Sequence, residues 1–188
     1  MDETPLRARL VTTASELFYQ HGIGSIGMDA IRDAAHISLR ALYKEFASKE
    51  DLVVAVLQLR HEQWEQGLAA KAGDLTEPIP RLLAIFDYLT DWCRDPSFRG
   101  CGFINAFGEL GPSSPRVAEA VREHKRSFQT YVDRLVDAAG GSPELAAQLA
   151  LLAEGAQTTS AIAGTNDAAV MASQAARALM RDAGLSLA

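Results

Sequence analysis

The residue types best suited to act on another molecule lie together between positions 38 and 44. This segment offers a hydroxyl, a guanidinium, a phenol and an ammonium, from Ser38, Arg40, Tyr43 and Lys44. On one short helix such groups can meet phosphates and the edges of bases in a DNA groove. The simpler alternative is a polar helix face that contacts only water, and the pattern taken alone favours that alternative.

Two short helices are predicted around this segment, from Met28 to about Ala35 and from about Ser38 to Phe46. A longer helix precedes them, with Thr4 as its cap, Pro5 at its first position and Gly22 at its end. The apolar positions expected to face a shared core are Leu17, Met28, Ile31, Ala34, Ala35, Ile37, Leu42, Phe46 and Leu52. Two short helices joined by a tight corner between longer helices have the dimensions of a helix-turn-helix.

Four stretches in this region carry a resemblance to a known family. They are Gly22–Ile31, Ala34–Ser38, Ala41–Phe46 and Ser48–Leu52. Together they resemble the DNA-binding signature of the TetR family. The matching residues are Ile37-Ser38, Leu42-Tyr43, Phe46 and Lys49-Glu50-x-Leu52.

The resemblance implies that the second short helix is a recognition helix and that Arg40, Ala41 and Lys44 face the major groove. Tyr43 and Lys49 are then expected to hold phosphates. The start of the preceding helix is expected near the DNA backbone, because helix N-terminal amides favour phosphate. The implied DNA-binding residues are Ser25, Gly27, Met28, Ser38, Leu39, Arg40, Ala41, Tyr43, Lys44 and Lys49.

Three departures from the family pattern affect these contacts. The family usually has Thr followed by Ser or Thr where this chain has Ile26 and Gly27, so a side-chain cap and a phosphate contact are missing. His36 replaces the corner glycine and is expected to adopt a positive φ at some cost in energy. Arg40 and Ala41 replace a small residue and a threonine, so Arg40 is expected to supply base readout instead.

The remainder of the chain also predicts helices, which makes the expected fold all-α with about nine helices. We expect an N-terminal three-helix helix-turn-helix DNA-binding domain at residues 1–47 and a C-terminal helical ligand-binding and dimerisation domain at residues 48–188. Residues 143–183 contain 14 alanines and no aromatic residue, so helix axes there can approach closely. The pattern fits a hairpin packed within one subunit and a homodimer through the last two helices equally well.

The central helices are the expected place for a small-molecule effector. The run Arg99–Ala106 resembles a segment of one TetR subgroup. The expected ligand-binding residues are Trp64, Phe86, Trp92, Asn105, Phe107, Phe128 and Gln157. Each has a structural alternative: the aromatic residues can be ordinary core, Asn105 can cap a helix, and Gln157 can satisfy buried backbone groups.

Composition limits the other function classes. The net charge is −6, and residues 1–50 hold six cations and seven carboxylates, so bulk charge does not suggest nucleic acid. No apolar run is long enough to span a membrane and the first residues are acidic, which leads us to expect a cytoplasmic protein.

Neither a metal nor a cofactor is expected. Cys93 and Cys101 have no partner ligands at metal-binding spacing, because His61 and His124 lie far away in sequence. A redox role for either thiol would require an accessible thiolate. Four scattered histidines and the lack of a Gly-rich phosphate loop argue against an enzyme.

The resemblance therefore implies a ligand-responsive transcriptional regulator that binds double-stranded DNA. We expect a repressor that leaves a palindromic operator when a small, largely apolar molecule binds. The alternative is a helical ligand-binding or protein-interaction module that has lost DNA binding, and the acidic composition keeps it open.

Overall fold

The computed structural model describes residues 5–187, and every regular element in that range is an α-helix, which confirms the predicted fold class. The helices are α1 (Leu6–His21), α2 (Met28–Ala35), α3 (Leu39–Glu45), α4 (Lys49–Ala72), α5 (Pro78–Trp92), α6 (Gly102–Leu110), α7 (Pro115–Ala138), α8 (Pro143–Ala163) and α9 (Asp167–Asp182). The predicted cap Thr4 lies outside the described residues, and Pro5 occupies the N-cap position rather than the first helical position.

Helices α1, α2 and α3 form the predicted helix-turn-helix because each carries apolar residues at helical spacing on its inner face. Helix α1 packs on α2, and α2 packs on α3. Leu10, Ala14 and Phe18 of α1 are buried, as are Ile31 of α2 and Leu42 of α3. This packing holds the outer side of α3 toward solvent.

The inner face of α2 is narrower than the sequence predicted. Ala34 is exposed and Met28 is only half-buried, so the prediction of both as core residues was wrong. Because α2 has eight residues, Ile31 and Ala35, one turn apart, are sufficient to cover the inner face.

The corner after α2 has the predicted strained backbone. His36 has φ 53° and ψ 50°, the left-handed helical conformation that glycine normally supplies. Its N–H donates to the carbonyl of Asp33, and the N–H of Ile37 donates to the carbonyl of Arg32. These two bonds form a Schellman motif, which satisfies the last carbonyls of α2 and compensates for the unfavourable φ.

The Ser48 side chain caps the start of α4. The Ser48 hydroxyl accepts a hydrogen bond from the N–H of Asp51 at 3.1 Å and donates to the Asp51 carboxylate at 2.7 Å. At the start of α8, the Ser142 hydroxyl accepts a hydrogen bond from the N–H of Leu145 at 3.2 Å, and Pro143 occupies the first helical position. Both serines satisfy amides that a helix N-terminus leaves unpaired.

The chain divides into two compact units. The first unit combines the residues up to Gln63 with Gly102–Glu123, and the second combines Trp64–Cys101 with the residues from His124 onward. Helices α4 and α7 each contribute to both units. The functional division at residues 47 and 48 remains a prediction.

The second unit is built on an apolar core from α4, α5, α7, α8 and α9. Its fully buried residues include Leu82, Leu89, Val132, Leu149, Ala153, Ala176 and Met180. The alanines of α8 and α9 allow these two helices to pack closely along their length. Among the described residues, no helix has the length and apolar character needed to cross a membrane.

We predict that replacing His36 with glycine stabilises the protein. A non-glycine residue in the left-handed region costs about 1–2 kcal/mol. Glycine avoids that cost, but its greater backbone entropy stabilises the unfolded chain by roughly 0.5–1 kcal/mol. Chemical denaturation should therefore show His36→Gly raising the free energy of unfolding by about 0.5–1 kcal/mol.

The control is Ala30→Gly at an exposed position inside α2. That variant should lower the free energy of unfolding by about 1 kcal/mol. A loss of stability in His36→Gly would contradict our account of the corner.

Candidate nucleic-acid interface

The outer side of α3 presents a compact set of polar groups. Arg40 and Lys44 are exposed and lie one turn apart, and Tyr43 is 46% exposed beside them. Leu42, on the opposite side, has no exposed surface. The helix is therefore anchored by its inner side, and its cationic side is open to a partner.

The beginning of α3 is also held in place. The Ser38 hydroxyl accepts a hydrogen bond from the N–H of Ala41 at 3.1 Å, which caps the helix. Leu39 and Ala41 are half-buried. They are therefore the least accessible of the residues between Ser38 and Lys44 that the resemblance implies for DNA binding. The polar groups of α3 thus project from a capped helix.

The start of α2 matches the expected loss of a side-chain cap. Gly27 is exposed at the N-cap position, and because it has no side chain it cannot cap the helix. The Ser25 hydroxyl donates back to the carbonyl of His21 at 2.5 Å. Any phosphate contact at this point must come from the first backbone amides of α2, which have no partner within the helix.

Lys49 has a different environment from the one that the family pattern suggested. Its ammonium donates to the carbonyl of Ile23 at 2.5 Å and lies 5.8 Å from the centre of the Phe18 ring. Burial lowers the pKa of Lys49, and the nearby carboxylate of Glu109 opposes that decrease. In this conformation Lys49 stabilises the first unit and does not project toward solvent, so its role as a phosphate contact would require it to leave Ile23.

Glu109, at the end of α6, contacts the same segment from the other side. Its carboxylate accepts hydrogen bonds from the N–H of Ile23 at 3.1 Å and from the N–H of Gly24 at 2.6 Å. The Ile23 residue is therefore bound through its N–H by Glu109 and through its carbonyl by Lys49. We call this arrangement the Ile23 clamp (Ile23, Gly24, Lys49 and Glu109), and it holds the loop that leads directly into α2.

A second set of polar contacts joins the start of α7 to the start of α4. Arg116 donates to the carboxylate of Asp51 at 2.6 Å and to that of Glu50 at 3.4 Å. The Ser114 hydroxyl donates to Glu50. The bond from Arg116, followed by that from Ser48, lowers the pKa of Asp51. Sequence reasoning missed these contacts and the Ile23 clamp, because no local pattern signals pairs that lie between 26 and 86 residues apart.

The predicted ligand-binding residues do not form a single group. Trp64 and Phe128 are buried in the second unit with ring centres 5.8 Å apart, and Trp92 lies 5.9 Å from Trp64. Asn105 and Phe107 belong to α6 in the first unit, where both are exposed. The structure thus brings three of the predicted aromatic residues together and places two predicted residues in the other unit.

Tyr88 completes this group, although it was not among the predicted ligand-binding residues. Its ring centre lies 5.2 Å from that of Trp64. A Cβ atom added at Gly67 would lie 2.6 Å from the Tyr88 hydroxyl, so the glycine is what permits this close approach. We call Trp64, Tyr88, Trp92 and Phe128 the aromatic cluster.

The other two predicted ligand residues are internal to the second unit. Phe86 is buried in the apolar core. Gln157 is 3% exposed, and its side-chain amide donates to the carbonyl of Ala153 at 3.2 Å, as the structural alternative proposed. The ligand-binding role of all seven residues remains a prediction.

Both cysteines are buried and reduced. Burial raises the pKa of Cys93, which keeps it a neutral thiol. The ammonium of Lys125 lies 3.5 Å from the sulfur of Cys101 and also donates to Glu154 at 2.5 Å. Among the described residues, no group of three or more His, Cys, Asp or Glu side chains is arranged to hold a metal ion.

Two family models match the chain. One, described as bacterial regulatory proteins of the tetR family, matches residues 10–56, which contain the helix-turn-helix. The other, described as the tetracyclin repressor-like C-terminal domain, matches residues 78–182. The second match alone covers more than half of the chain.

Curated relatives are similar over part of their length. The HTH-type transcriptional activator FasR from Mycolicibacterium smegmatis is 32% identical over 116 residues, which are 62% of this chain and 52% of FasR. The HTH-type transcriptional regulator UidR from Escherichia coli is 28% identical over 138 residues, which are 71% of this chain and 66% of UidR. The chain therefore spans between 52% and 66% of the length of these relatives.

Solved structures match over nearly the whole chain. A TetR-family transcriptional regulator from Streptomyces coelicolor superimposes with a TM-score of 0.88 at 29% identity, covering 95% of each chain. A TetR transcriptional regulator from Chloroflexus aurantiacus gives a TM-score of 0.83 at 22% identity over 94% of each chain, a likeness of fold. With the exposed α3 and the two family matches, these findings lead to one assignment. The chain belongs to the TetR family of DNA-binding transcriptional regulators, whose members among its relatives are regulators and not enzymes.

Proposed function

We propose that this protein is a ligand-responsive repressor that binds a palindromic operator as a homodimer and leaves it when a small, largely apolar molecule binds. The observation that carries the proposal is the side of α3 on which Arg40, Tyr43 and Lys44 are exposed while Leu42 is buried. A rigid helix with cationic and hydroxyl groups on one side is the usual reader of a major groove.

Local charge supports this proposal despite the acidic net charge. Arg32 lies 2.8 Å from Asp29 and 2.7 Å from Asp33, so these carboxylates are paired within α2. Arg40 and Lys44 have no carboxylate partner among the described residues, which leaves their charge for phosphates. Since phosphate attraction acts over about 10 Å at ordinary salt, local charge matters more than the total.

In the DNA contacts that we propose, Arg40 binds the edge of a base, and Tyr43 and Lys44 bind phosphates. Ser38, Leu39 and Ala41 line the same helix. Ser25, Gly27 and Met28 are proposed near the DNA backbone at the start of α2, and Lys49 only if its ammonium leaves Ile23.

We propose that the homodimer forms through α8 and α9. Leu151 and Ile162 of α8 are 72% and 84% exposed, and they lie three turns apart on one side of the helix. Met171 of α9 is 60% exposed. Large apolar side chains exposed beside closely packed, alanine-rich helices fit a four-helix interface with a second copy.

We propose that the effector binds at the aromatic cluster and changes which position is favoured by α1, α2 and α3, which we call the reading head. The Ile23 clamp links α6 to the loop before α2 by two hydrogen bonds. Movement of α6 would therefore change the position of α2. A repressor results when the ligand favours the position that does not fit the operator.

The first test of this proposal removes both cations of α3. The double variant Arg40→Ala, Lys44→Ala should lose at least about ten-fold in affinity in a mobility-shift assay on duplexes from the DNA beside its own gene. Loss of Lys44 alone should weaken all duplexes alike and reduce the salt dependence, whereas loss of Arg40 alone should relax the base preference.

The matched control is Arg94→Ala, Arg134→Ala, which removes the same charge from exposed positions outside the helix-turn-helix. It should bind DNA like the unmodified protein. If the α3 variant also does so, or if the unmodified protein ignores every duplex at low salt, the DNA-binding proposal is wrong and the alternative of a helical interaction module is preferred.

The second test addresses the Ile23 clamp. In Glu109→Gln the amide replaces one acceptor oxygen with a donor, so it cannot bind both the Ile23 and the Gly24 N–H. We expect DNA affinity to fall several-fold, measured by fluorescence anisotropy, with the secondary structure unchanged by circular dichroism.

Glu16→Gln, at an exposed position of α1 without a hydrogen-bond partner among the described residues, provides the comparison. It changes the net charge by the same amount and should leave DNA affinity unchanged. Equal affinities of Glu109→Gln and Glu16→Gln for DNA would show that the clamp does not position the reading head.

The third test addresses assembly. The double variant Leu151→Glu, Ile162→Glu should convert the dimer to a monomer in analytical ultracentrifugation, because carboxylates cannot be buried unpaired at an apolar interface. The affinity for operator DNA should fall when the dimer is lost, because two helix-turn-helix units no longer bind one site together. Leu75→Glu, at a 44% exposed position between α4 and α5, should remain dimeric. A dimeric α8 variant would place the interface elsewhere.

A further inference from the structure

Arg81 of α5 is a half-buried cation without an acidic partner. No carboxylate within the described range lies close enough to form an ion pair with it. The Nε atom is buried and makes no hydrogen bond. One Nη atom reaches the Tyr131 hydroxyl at 3.5 Å, the long limit of a hydrogen bond, and the guanidinium carbon lies 5.7 Å from the Tyr131 ring centre.

This arrangement is unfavourable for the protein alone. A guanidinium stays charged at all physiological pH values, and its transfer out of water is offset only by an anion or by full hydrogen bonding. The Nε atom and the Nη atom that reaches Tyr131 form the edge of the guanidinium that can bind both oxygens of a carboxylate, and the 3.5 Å contact with Tyr131 is their only hydrogen bond among the described residues. A buried donor without a partner is rare in folded proteins and calls for an explanation, one of which is an ion or ligand that completes the bonding.

The position of Arg81 connects it with the aromatic cluster. Tyr88 follows Arg81 by seven residues on α5, which places both on one side of the helix about 10 Å apart. Phe128 precedes Tyr131 by about one turn on α7. The two helices that carry Arg81 and Tyr131 therefore also carry three of the four residues of the aromatic cluster, with Phe128 about one turn from Tyr131 and Tyr88 about two turns from Arg81.

We propose that Arg81 and Tyr131 bind the carboxylate of the effector, and that its apolar body, on the order of 10 Å long, packs along the aromatic cluster. The proposal rests on the proposed ligand-binding function and specifies its ligand class as an apolar carboxylic acid. One guanidinium edge and one hydroxyl match the single charge and two oxygens of a carboxylate. A doubly charged phosphate would require a further cation.

The test is isothermal titration calorimetry of the full chain without DNA. The probes are naphthaleneacetate and decanoate, each compared with its primary amide, which has the same apolar body and no charge. The unmodified protein should bind each acid at least ten-fold more tightly than its amide. Arg81→Met should abolish that preference by weakening the acids, and Arg81→Lys should retain a part of it because a lysine keeps the charge and loses the paired geometry.

Arg134→Met, an exposed cation on α7 about one turn from Tyr131, is the charge-matched control and should keep the full preference for acids. Thermal denaturation without ligand should show that Arg81→Met melts no lower than the unmodified protein, whereas a purely structural arginine would lower the melting temperature when removed. Equal binding of acids and amides, a preference that persists in Arg81→Met, or binding of neither acid would overturn the proposal. Because no DNA is present, these results are independent of the mobility-shift assays that test the regulator itself.

Discussion

The structure of the reading head depends on how the Ile23 residue is held between two charged side chains. Within the loop from α1 to α2 the Ser25 hydroxyl bonds the carbonyls of His21 and Gly22, and Ile23 is buried. Glu109 satisfies the N–H groups of Ile23 and Gly24, and Lys49 satisfies the Ile23 carbonyl. Hydrogen bonds to charged groups contribute roughly 1.5–3 kcal/mol each, less at exposed sites, so the loop is held mainly by these contacts. Together with the packing of α1 on α2, these contacts hold the segment that leads into α2.

The clamp also explains a conflict between local sequence and local structure. Lys49 lies in a Lys-Glu-x-Leu pattern that predicts an outward cation, yet its ammonium is turned inward. Burial lowers its pKa, and the carboxylate of Glu109 on α6 opposes that decrease while the Ile23 carbonyl accepts its hydrogen bond. A lysine that serves the fold cannot at the same time hold a phosphate. This leaves the exposed groups of α3 as the main carriers of DNA contact in our proposal.

The sequence predicted the features that are encoded over short distances. Pro5 and Gly22 marked the two ends of α1 to within one residue, and the family spacing located α2 and α3. The positive φ of His36 was predicted because His36 stands where the family pattern has a corner glycine. The exposure of Ala34 was not, because an alanine fits either side of a helix. The partnership of Glu109 with Ile23 spans 86 residues, and the placement of Asn105 and Phe107 in the first unit depends on how the chain packs, so no local pattern could reveal either.

The size of the proposed switch can be compared with the contacts that would carry it. A ligand changes DNA affinity only by the difference between its own affinities for the two states, and couplings of about 1–3 kcal/mol are typical. Loss or weakening of one charge-assisted hydrogen bond at Glu109 is of that order, about 1.5–3 kcal/mol before screening. The switch that we propose therefore needs only a small displacement of α6, without breakage of the whole clamp. Because coupling between two bound molecules is reciprocal, operator DNA must weaken ligand binding by the same factor by which the ligand weakens DNA binding.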